Sequence, residues 1–309
     1  MEKRTDLSGY AMVLAAATMW GLIGPVSKFV FAENVSPLES AFWRALIGWM
    51  FFAIHAIRIK EVKVPLSALP TFSMFGIIGV AVFYGSYQIA VQHVGAGISS
   101  VLLYTAPAWV AFMSVIILKE QMTKGKLIAL CMTLCGAALV CLGPQLSGAS
   151  QITLSTIGIV CGLTSGFTYA LYYIAGKTFL RSYSTPTVFF YALPIGCLTL
   201  FPFIDFAPKS PTAWIAMFIL AAVCTYGAYS IYYMGLRKLE ATRAAVIATL
   251  EPVIAAILAF LWWDEVFVPV SILGSALVLG AVIVTIMDKT PQTESDTPEE
   301  IIAQTSPTD

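Results

Sequence analysis

The sequence predicts an all-α membrane protein with ten transmembrane helices, arranged as two inverted five-helix repeats. The first observation is composition: of 309 residues, 59% are hydrophobic and 11% are charged, whereas about 25% of the residues of soluble domains are charged. The mean hydropathy is +0.84. The second is an internal repeat, in which the stretch from Tyr84 to Glu120 recurs 145 residues later, from Tyr229 to Glu265. The third is the placement of lysine and arginine.

Ten apolar segments are long enough to cross a bilayer, since about 20 helical residues span the hydrocarbon core of roughly 30 Å. The first follows Lys3 and Arg4 as a signal peptide would, but it is longer than the apolar region of a signal peptide, and we expect a membrane helix. The connections are too short for an extramembrane domain. The predicted helices cover residues 8–30, 37–57, 69–92, 97–117, 125–143, 155–175, 187–204, 211–234, 242–262 and 268–287.

The basic residues predict an orientation. With a cytoplasmic N-terminus, 14 of the 17 lysines and arginines fall on the cytoplasmic side, as the positive-inside rule requires. Both termini are then cytoplasmic, in a bacterial inner (plasma) membrane. Because five helices are an odd number, the second repeat must enter from the opposite side. Accordingly Lys119 and Lys124 follow the fourth helix, whereas its counterpart ends in Asp264 and Glu265 without a base.

The predicted repeats cover residues 1–145 and 150–290. Inverted repeats permit alternating access, because exchanging the conformations of the two halves opens a central cavity first to one side and then to the other. Residues 291–309 are rich in proline, serine, threonine and acid and contain no base. They are predicted to form a disordered cytoplasmic tail.

The sequence gives no evidence for several classes of function. No basic cluster points to nucleic acid. The six cysteines all lie in apolar segments and are read as buried hydrophobes. Cys131 and Cys135 share a helix face, but no histidine or carboxylate joins them, so we predict no metal and no cofactor. His55 and His93 lie at helix ends without a ligand set. No cluster of histidine, aspartate and serine lies at one membrane face, so we predict no catalytic residues and no enzyme.

Four motifs follow one another along the predicted helices. They are Trp20 and Gly21 with Lys28, Pro37 with Arg44, Pro107 to Glu120, and Leu250, Glu251 and Pro252 leading to Glu265. In this order they resemble the EamA-type branch of the drug/metabolite transporter superfamily, over nearly all of residues 8–287. The stretches that end at Glu120 and Glu265 lack the usual Leu-Gly-Glu ending. The resemblance implies export of metabolites through a central cavity formed by both halves, and the aromatic content is most similar to that of aromatic amino acid exporters.

Charged residues within predicted helices are candidate site residues, because each costs about 2.5–3.5 kcal/mol at the bilayer centre. Glu251 precedes Pro252, and it serves either as a proton, cation or ammonium site or as a structural hydrogen-bonding group at a proline kink. Lys28 lies near the outer end of the first helix. Arg44 either holds a carboxylate or, as we favour from the sequence, reaches the headgroups or pairs with Glu33 or Glu39.

Aromatic residues with polar groups follow the same helices and suit an amphipathic, aromatic ligand. Their alternative role is packing between helices or anchoring at the interface. We predict flexing of the helices at Gly24, Pro25, Pro107 and Pro252. The predicted substrate-binding residues are Trp20, Lys28, Tyr84, Gln88, Tyr104, Tyr169, Tyr229 and Glu251.

Small residues recur every four positions in two helices, which lets helix backbones approach closely. Gly158, Gly162 and Gly166 are expected to pack within the molecule. Ala276 and Gly280 either pack in the same way or form a homodimer contact, and the protein is otherwise a monomer.

Together these features predict an exporter of small amphipathic metabolites, above all aromatic or other neutral amino acids, whose partners are its substrate and the lipid bilayer. The alternative is an exporter of cationic drugs or other toxic compounds. A nucleotide-sugar carrier would need more basic residues in the cavity, and a channel would show no counterflow.

Overall fold

The structure is a computed structural model that describes residues 7–146, 148, 155–263 and 268–288. The regular secondary structure of these residues is entirely helical. The predicted tail at 291–309, and Asp264 and Glu265, lie outside them. The α-helices are α1 (Leu7–Gly21), α2 (Ile23–Phe31), α3 (Pro37–Arg58), α4 (Leu69–Phe75), α5 (Phe83–Leu103), α6 (Ala106–Met113), α7 (Lys124–Leu146), α8 (Thr156–Phe179), α9 (Thr185–Leu200), α10 (Pro211–Ala221), α11 (Ala228–Leu236), α12 (Ala241–Ala248), α13 (Glu251–Trp263) and α14 (Pro269–Met287).

Nine continuous helical segments in the described residues are long and apolar enough to cross a membrane. Eight of them match single predicted helices. The ninth, Leu66–Leu118, contains 53 residues and would be about 80 Å long if straight, more than twice the apolar thickness of a bilayer. It covers the predicted helices 69–92 and 97–117, and Gly95 between them has a non-helical backbone, with φ 77° and ψ 165°. The ten predicted membrane helices and the nine observed helical segments therefore differ only here, where two predicted helices lie in one segment.

Two irregularities of the backbone recur at about the spacing of the sequence repeat. A π-helical turn at Gly76–Val82 has its counterpart at Ala222–Gly227. The helix breaks at Tyr104 (φ −75°, ψ 10°) and again at Thr249 (φ −71°, ψ 6°). Prolines cause both breaks, because Pro107 and Pro252 have no N–H to donate and their rings clash with the preceding turn.

Helix pairs also recur in the packing. Helix α5 packs against α8, and α1 packs against α11. Helix α6 packs against α8, whereas α12 and α13 pack against α1. The pairs α3 with α9 and α7 with α14 join corresponding helices of the two halves. Large apolar side chains such as Ile272, Leu279 and Ile283 are exposed on α14. Exposed apolar surface of this kind faces lipid in a membrane protein.

The predicted packing role of the small residues on α8 is confirmed. A Cβ on Gly158 would lie 2.6 Å from Val94 Cγ1, and one on Gly162 would lie 2.5 Å from Leu102 Cδ1. Both neighbours belong to α5. On α14, a Cβ on Gly280 would lie 2.7 Å from Met132 Cε of α7, so this residue also packs within the molecule.

Four charged side chains are buried together around the N-terminal ends of α7 and α12: Glu120, Lys126, Glu240 and Arg243. Glu240 joins two of them, because Lys126 Nζ and Arg243 Nε each lie 2.8 Å from its Oε2 atom. Burial of an ionised group is costly unless it is paired and hydrogen-bonded. The sequence places Lys126 and Arg243 near the first residues of predicted helices 125–143 and 242–262, and their burial is a finding of the structure.

Candidate functional site

Glu251 lies at the first residue of α13, directly after the break at Thr249. A carboxylate in the first turn of a helix interacts favourably with the N-terminal end of the helix dipole. The hydroxyl of Tyr169 donates a hydrogen bond to Glu251 Oε2 at 3.5 Å, and Tyr104 lies near the same carboxyl. The structure thus brings together three predicted site residues from α8, α13 and the break before α6.

An aromatic surface extends from this carboxyl. Tyr169 stacks on Phe83 with ring centroids 5.4 Å apart and an interplanar angle of 8°. Tyr229 stacks on Tyr172 at 5.5 Å and meets the edge of Trp20 at 5.4 Å. The rings come from α1, α5, α8 and α11, so both halves of the chain contribute. Predicted residues Trp20, Tyr169 and Tyr229 all belong to this aromatic surface.

Arg44 lies at the other end of the aromatic surface. Its Nη2 donates to the hydroxyl of Tyr84, and its guanidinium carbon is 5.2 Å from the centroid of that ring. Tyr84 in turn contacts Phe83, with centroids 4.9 Å apart. The Nε–H of Arg44 is buried and has no hydrogen-bond partner among the described residues.

The acidic partners considered for Arg44 are engaged elsewhere. Glu33 accepts hydrogen bonds from the hydroxyl and the N–H of Ser210, and these bonds lower the pKa of Glu33. Glu39 accepts from the N–H of Ala207 at 3.1 Å and pairs with Lys209. The sequence interpretation that Arg44 pairs with Glu33 or Glu39 is therefore wrong for this structure.

The remaining predicted residues are spread around the site. Gln88 is half-buried on α5, one turn beyond Tyr84. Lys28 lies on α2, which packs against α10 and α13 and also contacts α1 and α3. The four predicted flex points all lie at or next to helix breaks: Gly24 and Pro25 follow the turn at Leu22, and Pro107 and Pro252 follow the breaks before α6 and α13.

Phe83 is the site residue that sequence reasoning missed. Its ring lies between Tyr84 and Tyr169 and completes the aromatic surface. A phenylalanine in an apolar helix carries no signal of its own, and only its position next to Tyr84 could have indicated it. In the described ranges, no set of three or more His, Cys, Asp and Glu side chains is arranged to hold a metal ion.

These features define a class of protein: a multi-pass helical membrane protein whose broken helices bring polar groups to an internal aromatic site, as in secondary transporters. The sequence pattern of the EamA-like transporter family matches residues 7–142 and again residues 156–287. The chain belongs to this family, whose members are transporters and not enzymes.

Similar proteins agree with this assignment. An uncharacterized transporter of Archaeoglobus fulgidus is 28% identical over 275 residues, covering 89% of this chain and 94% of its own length. A probable terminal-alkyne amino-acid exporter of Streptantibioticus cattleyicolor is 23% identical, covering 88% and 91%. A solved structure described only as "Crystal structure of protein" matches with a TM-score of 0.76 and 17% identity, over 90% of this chain and 96% of the other. This last likeness concerns the fold alone.

Proposed function

We propose that the protein exports small amphipathic metabolites across a bacterial inner membrane, with aromatic or other neutral amino acids as substrates. The observation that carries the proposal is the Glu251 carboxyl at one end of a continuous aromatic surface. Stacked rings suit the side chain of an aromatic amino acid. A carboxylate that is partly shielded from water suits its ammonium group.

Transport proceeds by alternating access between two inverted five-helix repeats, at 1–145 and 150–290. Two observations support this arrangement: the family pattern matches twice, and breaks and π-helical turns recur 145 residues apart. The long segment Leu66–Leu118 then crosses the membrane twice, turning at Gly95, which gives ten crossings and two cytoplasmic termini. Rocking of the halves uses the breaks near Pro25, Pro107 and Pro252.

A second candidate function is export of organic cations. The same carboxylate favours it, since aromatic rings around an anion also bind cations through their π faces. The amino acid proposal is supported in addition by the Streptantibioticus relative, which is a probable exporter of an amino acid.

Counterflow in proteoliposomes tests the two functions. Vesicles loaded with unlabelled tryptophan, phenylalanine or threonine should accumulate the radiolabelled compound saturably, with and without an imposed pH gradient, and protein-free vesicles should not. Exchange of organic cations alone would reject the amino acid proposal in favour of the second candidate. Unsaturable flux without counterflow would indicate a channel and reject both.

A further inference from the structure

We propose that Arg44 binds the carboxylate of the substrate, so that the site selects zwitterions whose ammonium group faces Glu251. This inference rests on the proposed function and deepens it, because it specifies the charge pattern of the transported molecule.

The first argument is the unused hydrogen-bonding capacity of Arg44. A guanidinium carries five N–H donors and no acceptor. One terminal nitrogen donates to Tyr84, whereas the buried Nε–H has no acceptor in the described residues. A buried donor without an acceptor destabilises the protein, and the effect is greater for charged groups. A carboxylate fits such a guanidinium, because it accepts from Nε–H and a terminal N–H together.

The second argument is charge. The side chain that accepts a hydrogen bond from Arg44, Tyr84, is neutral in its ordinary protonation state. Glu251 interacts electrostatically with Arg44. The described residues form no ion pair between these two side chains. A cation within the membrane normally faces a partner or a cavity. An anionic group brought by a substrate supplies the missing partner.

The third argument is the path between the two charges. From Arg44 the contacts lead to the Tyr84 hydroxyl and then through Phe83 to Tyr169, whose hydroxyl bonds Glu251. A ligand lying along this path meets a cationic group, an aromatic surface and a carboxylate in turn. A neutral amino acid with an apolar side chain presents the complementary groups.

This arrangement also separates the two candidate functions. A compound that carries only a positive charge would satisfy Glu251 but would leave the half-buried Arg44 without an anionic partner and its buried Nε–H without an acceptor. Repulsion and unpaired groups of this kind reject the wrong ligand. The site should therefore discriminate against an amine that lacks the carboxylate.

The test compares phenylalanine with phenethylamine, which has the same ring and ammonium group but no carboxylate. In counterflow by the wild-type protein, unlabelled phenethylamine should compete with labelled phenylalanine at least about ten-fold less well than phenylalanine itself. Arg44→Gln should raise the half-saturating concentration of phenylalanine about ten-fold or more and should reduce the preference over phenethylamine. Arg44→Lys should fall between, since it keeps the charge and loses the planar pair of donors.

Arg58→Gln is the matched control, because Arg58 is exposed at the end of the same helix, α3. Saturable phenylalanine transport by Arg44→Gln with an unchanged preference over phenethylamine would overturn the inference while leaving the proposed function standing. If Arg44→Gln does not fold, the wild-type competition decides, and equal competition by phenethylamine overturns the inference. Absence of amino acid counterflow in the wild type would reject the proposed function and this inference together.

Discussion

At the scale of single residues, the chemistry of the site depends on Glu251, which lies at the start of α13 and accepts a hydrogen bond from Tyr169. Glu251→Gln keeps the size of the side chain and an oxygen that accepts from Tyr169, but it has no charge and does not titrate. We expect about a ten-fold rise in the half-saturating concentration for substrate, the equivalent of one lost charge-assisted hydrogen bond. The dependence of flux on pH should flatten.

Counterflow measured across a series of pH values checks this expectation. Glu61→Gln is the control, because Glu61 is exposed outside the membrane spans. Wild-type flux from Glu251→Gln at every pH would remove this carboxylate from the mechanism and leave it a structural role beside Pro252.

Glu120 is a residue of structural importance for a different reason. Its buried carboxylate accepts from the N–H of Ala241 at 2.6 Å, from the N–H of Thr242 at 3.2 Å and from the Thr242 hydroxyl at 2.8 Å. It therefore caps the start of α12 from a distant part of the chain. Glu120→Ala should lower the free energy of unfolding by about 1–3 kcal/mol, because it leaves buried donors without acceptors.

Thermal unfolding of the detergent-purified protein measures this effect, and Glu61→Ala provides the comparison at an exposed position. Glu120→Gln should be less destabilising, since it keeps one accepting oxygen. Equal melting temperatures for Glu120→Ala and Glu61→Ala would show that the cap contributes nothing.

The same residues mark the limit of sequence reasoning. Glu251 and Arg44 are visible as charges inside apolar segments, and Tyr84 and Tyr229 are visible as hydroxyl-bearing rings at equivalent positions of the sequence repeat. The backbone partners of Glu120 at Ala241 and Thr242, and the Tyr10 hydroxyl that Arg243 contacts, are far away in the sequence, so local patterns cannot reveal them. Local patterns also suggested Glu33 and Glu39 as partners of Arg44, because these acids are its neighbours in the chain, but both bind other groups.

At the scale of helices, the sequence signals for helix starts and breaks agree with the structure. Helices α3 and α10 begin at Pro37 and Pro211, each preceded by a serine that accepts a backbone hydrogen bond, as helix-capping rules predict. The breaks before α6 and α13 follow from the proline positions. The π-helical turns were not predictable, since they arise where packing inserts a residue into a helix and not from local propensity.

The stripe of small residues on α8 gives a prediction at this scale. A Cβ on Gly166 would lie 2.6 Å from the backbone oxygen of Leu102 and 2.6 Å from Thr105 Oγ1. These atoms are themselves joined by a hydrogen bond at 2.6 Å. Gly166→Ala should therefore separate α8 from α5 and destabilise the protein by about 1–3 kcal/mol.

Gly85→Ala is the matched control, because a Cβ there would meet no atom within 4 Å. Alanine is the better helix former, so this control should be neutral or slightly stabilising. Thermal unfolding of the two variants under identical conditions makes the comparison. A Gly166→Ala protein as stable as the Gly85→Ala protein would mean that α8 and α5 can move apart without loss.

At the scale of the whole molecule, the number of crossings and the inversion of the repeats decide how the protein works. Segment Leu66–Leu118 is the only one of the nine described spans that is too long for a single crossing. Its non-helical residue, Gly95, lies 145 positions before Glu240 in the connection between α11 and α12. If the repeats are inverted, these two equivalent places must lie on opposite sides of the membrane.

Single cysteines at His93 and Lys238, which are equivalent in the two repeats and both exposed, test the inversion directly. In a background with the six native cysteines replaced, a membrane-impermeant maleimide should label His93→Cys in intact spheroplasts. It should label Lys238→Cys only after permeabilisation, because the connection that contains Arg237 and Lys238 is basic and is predicted to be cytoplasmic. Labelling of both positions from the same side would reject inverted repeats, and with them the alternating-access mechanism. Labelling from opposite sides in the reverse order would retain the inversion and place both termini outside.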